Sequence, residues 1–227
     1  MATATKTRAA KNGKATVPPQ VSPLEPQVIE IDSIASETLD VPLLGTMPLI
    51  VHRFSEKAKR QLLDSAQGKQ TPRQPKDPEA EYEDALYRLE GGGFGLVAGA
   101  FKKATVSAAR FYGKQLSMAA LKQFIFMHGE LGQDGRALVR IDGEPEMRED
   151  VVRVGRGGTE MRYRPQFWPW SVTLRVTYFT TVLSRNAVLS LIDAGGLAVG
   201  VAEWRPEKDG EFGTYCVDKA RKVEVVP

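Results

Sequence analysis

Four arginines and a tyrosine crowd one short stretch, VRVGRGGTEMRYRP. Arg153, Arg156, Arg162 and Arg164 flank the Gly157-Gly158 pair, and Tyr163 sits between the last two. A guanidinium is a planar fork that pairs with phosphate oxygens, and an interleaved phenol ring offers a face for an unpaired base. Arg148 and Arg175 lie nearby, against Glu149, Asp150 and Glu160. The chemistry this pattern suggests is a grip on a single-stranded phosphate backbone. The same residues also suit a solvated, charge-covered hairpin whose neighbours Phe167, Trp168 and Trp170 fill the core.

One side chain reads as a candidate acid–base catalyst. His52 lies where a first strand meets a helix, and an imidazole titrating near neutrality can move protons in RNA cleavage through the 2′-hydroxyl. Beside Arg53 it can equally be a packed or solvated histidine, and His128, before Gly129, looks more ordinary still. Two histidines and one cysteine, far apart, give no zinc-site spacing, and no metal or cofactor is expected. Gly93, Gly95 and Ala98 match the spacing of a dinucleotide loop, but the segment before them reads as a helix where a strand is required.

The elements that must position these residues can be read from periodicity and punctuation. TLDVPLLGTMPLIVHRF is rich in strand-forming residues, with Pro42 and Pro48 favouring an irregular or edge position. Ser55 caps a helix whose Ala58, Leu62, Leu63 and Ala66 form an apolar stripe. Asp77-Pro78 starts a second helix that runs through EAEYEDALYRL to the glycines at 91–93. A third helix carries Ala100, Phe101, Ala104, Ala108 and Phe111 inward, and Lys102, Lys103 and Arg110 outward.

QFIFMHGE and RALVRIDG read as strands. The arginine stretch belongs to a hairpin insertion at about 148–178, returning through the alternating WSVTLRVTYFTTV. Ser184 caps RNAVLSLIDA, closed by Gly195-Gly196, and LAVGVAEW and EFGTYCVD finish as strands. The core order is strand, helix, strand, strand, helix, strand. That is an α+β fold of the ferredoxin-like βαββαβ plan, with extra helices, spanning 28–227 as one domain.

Residues 1–27 read as a disordered basic arm: Lys6, Arg8, Lys11 and Lys14 against Glu25 account for the whole net charge of +3. An affinity for nucleic acid must therefore rest on local clustering in the body. A lone cysteine, Cys216, and the absence of a long apolar run or apolar leader read as a cytosolic protein with no membrane association.

Two segments resemble the RAMP superfamily, the RNA-binding backbone and guide-processing subunits of CRISPR effector complexes. GLVAGAFKKATVSAAR is similar to the small-residue turn and basic helix of that family, although it lacks the family's proline and paired serines. LIDAGGLAVGVAEWRPEKDGEFGTYCV is similar to its last helix and glycine-rich loop, with Gly195, Gly200, Gly210 and Gly213 as the matching glycines. Glu203, Glu207, Asp209 and Glu211 make that loop more acidic than a phosphate cradle. The overall character also resembles small proteins of tailed phages.

The resemblance implies a non-enzymatic protein that binds single-stranded RNA or DNA, RNA favoured, and that can assemble head to tail along a strand. Arg153, Arg156, Arg162, Tyr163 and Arg164 would grip from the hairpin, and Lys102, Lys103 and Arg110 would line the same groove. The alternatives are a metal-independent endoribonuclease using His52, and a phage assembly protein whose hairpin docks on a neighbouring subunit.

Overall fold

Alternation of apolar and polar residues builds the central sheet. The computed structural model describes residues 33–69, 75–154 and 158–227, so the expected arm at 1–27 and Arg156 lie outside the described residues. In chain order the elements are β1 (Ser36–Gly45), β2 (Leu49–Ile50), α1 (Glu56–Ala66), α2 (Pro78–Ala85), β3 (Phe94–Val97), α3 (Ala98–Ala108), α4 (Met118–Phe124) and β4 (Ile125–Met127). They continue as β5 (Glu130–Leu131), β6 (Ala137–Ile141), β7 (Pro145–Val154), β8 (Gly158–Phe167), β9 (Ser171–Phe179), α5 (Arg185–Ala198), β10 (Tyr215–Val217) and β11 (Glu224–Val226).

The chain is a mixed α/β structure of five helices and three antiparallel sheets among the described residues. The main sheet runs β10-β1-β9-β4, with β11 also paired to β1. Along β9, Val172, Leu174, Val176 and Tyr178 are buried while Thr173 and Arg175 are exposed, the period-2 pattern of a strand covered on one face. Those buried residues share one apolar cluster with Leu39, Val41 and Leu43 of β1, Phe101 and Ala104 of α3, and Val188 and Ile192 of α5. The helices α3 and α5 therefore cover one face of the main sheet. The smaller sheets are β2-β8-β7 and β3-β6-β5.

Pro42 is not at an edge. β1 lies between β9 and the β10/β11 side, yet the missing donor is tolerated because the neighbour changes at that point. β11 pairs with Thr38–Asp40 and β10 with Leu43–Gly45, leaving Pro42 at the seam. The proline carbonyl still accepts there, from the Asp218 N–H at 2.9 Å.

Three helix starts follow their caps: Ser55, Asp77 and Ser184 accept from the N–H of Ala58, Ala80 and Ala187 at 3.2, 3.1 and 3.2 Å. The ends differ from expectation. α2 stops at Ala85 because Leu86, Tyr87 and Leu89 turn into the core. α5 continues through Gly195-Gly196 to Ala198. A Cβ on Gly195 would lie 2.8 Å from the Ala104 carbonyl carbon, and one on Gly196 would lie 2.2 Å from the Tyr215 oxygen. These glycines permit close packing and do not end the helix, so LAVGVAEW forms no strand.

The arginine hairpin is also shorter than expected. β8 pairs with β7 over ten residues, from Pro145↔Phe167 to Val154↔Gly158, while Ser171–Phe179 is a strand of the main sheet. Trp170 is core, its indole N–H donating to Met47 O at 2.8 Å, whereas Trp168 is exposed. The α1 stripe forms as a helix but is not covered: Leu62 and Leu63 are 61% and 58% exposed. Phe111, expected inward, is exposed as well. Gly95 lies inside β3, so the dinucleotide-loop spacing falls on a strand.

Candidate nucleic-acid interface

A cleft of about 950 Å³ opens between α1, α2 and β8, with the His52–Ser55 link as its remaining wall. Its basic lining residues are Arg53, Lys57, Lys69, Lys76, Arg162 and Arg164. Four carboxylates, Asp77, Glu81, Asp84 and Glu160, stand against these six. Two of the cations are largely neutralised in place. Arg53 lies 3.9 Å from Asp84, and Lys76 lies 2.9 Å from Glu160 and 3.6 Å from Glu81. Arg162 of β8 also lies 3.8 Å from Glu160, which it shares with Lys76.

Period 2 along β8 places Arg162 and Arg164 on one face of the hairpin, opposite Asp150 and Arg148 of β7. Tyr163, half-buried, comes between them and also lines the cleft. Arg164 is only 3% exposed. Its Nη1 lies 3.6 Å from Asp150, beyond a hydrogen bond, and its Nε has no partner either. Asp150 instead accepts from Arg148 Nε at 2.8 Å, and Arg148 Nη1 donates to Gln166 at 2.9 Å.

Both guanidiniums sit over aromatic rings of the final loop. Arg148 lies 5.7 Å from the Trp204 centroid and 5.0 Å from that of Phe212, and Arg164 lies 5.8 Å from Trp204. Burial pulls the Arg164 guanidinium below its ordinary pKa, with Glu203 opposing and Arg162 adding to the shift. It stays charged, since an arginine does not lose its proton in a protein.

His52 stands at the lip of the same cleft, exposed over part of its surface. The cleft wall nonetheless desolvates the ring, and this effect, followed by the charge of Arg164, holds its pKa below the usual histidine value; Glu203 opposes and Arg162 reinforces. Both effects favour the neutral imidazole.

The other expected residues are dispersed. Arg153 is exposed near the hairpin end. Lys102 lies 5.0 Å from the centre of the Phe126 ring, and Lys103 is exposed on α3. Arg110 pairs with Glu207 of the final loop at 3.1 Å. Arg162, Tyr163, Arg164 and His52 are thus brought to one cleft; Lys102, Lys103 and Arg110 do not line it. Sequence reasoning missed Lys57 on α1 and Lys76 in the segment leading into α2, and it missed Trp204 as the ring beneath the arginines.

The glycines of the final loop approach the protein's own backbone. A Cβ on Gly210 would lie 1.8 Å from Trp204 O, and one on Gly213 would lie 1.9 Å from Val201 O. They fold the loop that carries Trp204, which itself sits at a φ of 52°. No group of His, Cys, Asp and Glu among the described residues could hold a metal ion, and no described helix is long and apolar enough to cross a membrane.

No protein-family model matches the chain, and no curated protein matches it. Among solved structures it is similar to a chain in the cryo-EM structure of the Type III-B Cmr-beta bound to cognate target RNA. The two are 10% identical with a TM-score of 0.40, over 84% of this chain and 61% of that one. This chain therefore spans about three fifths of that chain's length.

Proposed function

We propose that the chain is a non-enzymatic protein that binds single-stranded nucleic acid, RNA ahead of DNA, on a ferredoxin-like core of the RAMP type. The core reading is supported by the β10-β1-β9-β4 order, with α3 between β1 and β4 and α5 between β9 and β10. One observation carries the function: Arg162 and Arg164 share one face of β8 on the wall of an open cleft large enough for a nucleotide, which Tyr163 also lines. A strand would stack a base on Tyr163 and place its phosphates against the arginines and Lys57. Arg153 would extend the contact along the hairpin.

The test is fluorescence anisotropy with labelled single-stranded RNA, single-stranded DNA and duplex DNA at about 50 and 200 mM salt. Salt-sensitive binding to a single strand is expected. Arg162→Ala should weaken it for all sequences and flatten the salt dependence, and Tyr163→Leu should weaken it at both salts. Lack of binding at the lower salt would reject the proposal.

A second reading is favoured by the placement of His52. A neutral imidazole beside a buried arginine can accept the 2′-hydroxyl proton of RNA as the 2′-oxygen bonds to phosphorus and the P–O5′ bond breaks. It can then return that proton to the departing 5′-oxygen, leaving a 2′,3′-cyclic phosphate whose developing charge the guanidinium stabilises. Cleavage of RNA in excess chelator, abolished by His52→Ala with binding retained, would select this reading.

A further inference from the structure

We infer that the outer edge of β7 is a dimer interface, where a second copy of this chain adds its own β7 in antiparallel register centred on Val151. The inference goes beyond the nucleic-acid reading and is measured without nucleic acid. β7 is the last strand of the β2-β8-β7 sheet and runs for ten residues with a partner strand on one side only. The direction of its backbone groups follows from β8. Pro165 O accepts from the Val51 N–H at 2.9 Å, on the side of β8 away from β7, and the Lys76 ammonium reaches Met161 O from the cleft. Pro165 and Met161 sit opposite Met147 and Val151, so Met147 and Val151 turn their own N–H and C=O away from β8. Glu149 and Arg153 do the same by the period of two.

Among the described residues, no backbone partner reaches the outward groups of Glu149, Val151 or Arg153. Tyr82 closes only the start of the edge, donating its hydroxyl proton to Pro145 O at 3.0 Å. A free row of this kind accepts another strand. Charge selects the occupant. With Val151 facing its own copy, Glu149 faces Arg153 of the second chain and Arg153 faces Glu149, and outward donors meet outward acceptors in every pair. Glu149 and Arg153 are exposed, with no ion partner among the described residues, and Val151 is 67% exposed. Centring the pair on Asp150 or Val152 would set Val151 against a charge, and centring it on Glu149 or Arg153 would set like charges together.

The two-fold closes on itself, so the assembly is a dimer and not a filament. The cleft lies beyond the other side of β8, and pairing leaves it open while withdrawing Arg153 from a bound strand. A strand-edge contact is small beside a standard interface, so the dimer is weak and concentration-dependent.

The experiment is sedimentation velocity of the full chain, freed of nucleic acid, from about 5 to 200 μM. A monomer–dimer equilibrium without larger species is expected. Glu149→Arg or Arg153→Glu alone sets like charges opposite each other and should weaken the dimer about tenfold. The double variant Glu149→Arg/Arg153→Glu should restore it, and so should an equimolar mixture of the two single variants. Val151→Lys should weaken it as much, whereas Val225→Lys, at an exposed position of β11, should leave it unchanged. A misfolded single variant is not repaired by a second charge, so recovery reads pairing and not folding. The inference is overturned if the chain stays monomeric at the highest concentration, forms open-ended polymers, or does not recover in either rescue. Equal loss in Val225→Lys would move the interface to the main sheet and overturn it as well.

Discussion

The Arg164 guanidinium lies 5.8 Å from the centre of the Trp204 ring, and Arg148 lies 5.7 Å from the same ring. The final loop is therefore joined to the hairpin face that carries the candidate site. Replacing Trp204 by Leu should destabilise the fold by about 2 kcal/mol through lost ring area and two lost cation–π contacts. Trp168→Leu, at an exposed position, should stay within about 0.5 kcal/mol. Urea denaturation of the two variants compares them directly, and equal effects would remove Trp204 from its role.

The buried charge cluster makes a sharper demand. Arg164→Met leaves the Arg148–Asp150 pair intact and removes an unsatisfied cation, so stability should hold or rise by about 1 kcal/mol. Asp150→Asn leaves two guanidiniums without their carboxylate and should cost about 3 kcal/mol. The opposite ranking of denaturation midpoints would make Arg164 a structural group.

His52 gives a pH dependence with a definite sign. Its pKa is held down by desolvation and by Arg164, so it gains a proton only below the ordinary histidine range near pH 6.5. That proton adds positive charge beside Arg164. Affinity for single-stranded RNA should be flat from about pH 8 to 6.5 and tighten below, with the rise lost in His52→Ala. A rise centred above the ordinary range would contradict the placement of His52.

Gly196 tests the packing of α5 on β10. A Cβ there meets backbone at 2.2 Å, which a side-chain rotation cannot relieve. Gly196→Ala should cost about 3 kcal/mol despite alanine's better helix propensity. Thermal denaturation would show it, and a stabilised variant would mean that the glycine serves as a helix stop.

Local signals were legible in the sequence. Ser55, Asp77 and Ser184 are caps because their oxygens reach N–H groups three residues on, and β9 alternates because one of its faces is covered. What escaped was set by partners distant in sequence. Pro42 is tolerated by a change of neighbour across β1, and Gly195-Gly196 are explained only by Ala104 and Tyr215. Arg162, Tyr163 and Arg164 were found as a cluster. That Arg164 is buried could not be read from β8, since the burying ring comes from residue 204.

The seam at Pro42 also bears on solubility. An uninterrupted outer strand would present a long row of unpaired backbone groups to another molecule, a template for edge-to-edge aggregation. Here that side of β1 carries two three-residue strands, β10 and β11, separated by a turn with exposed Lys219, Arg221 and Lys222. Neither strand is long enough to template a stable pairing, and the cations between them repel a second copy approaching in register.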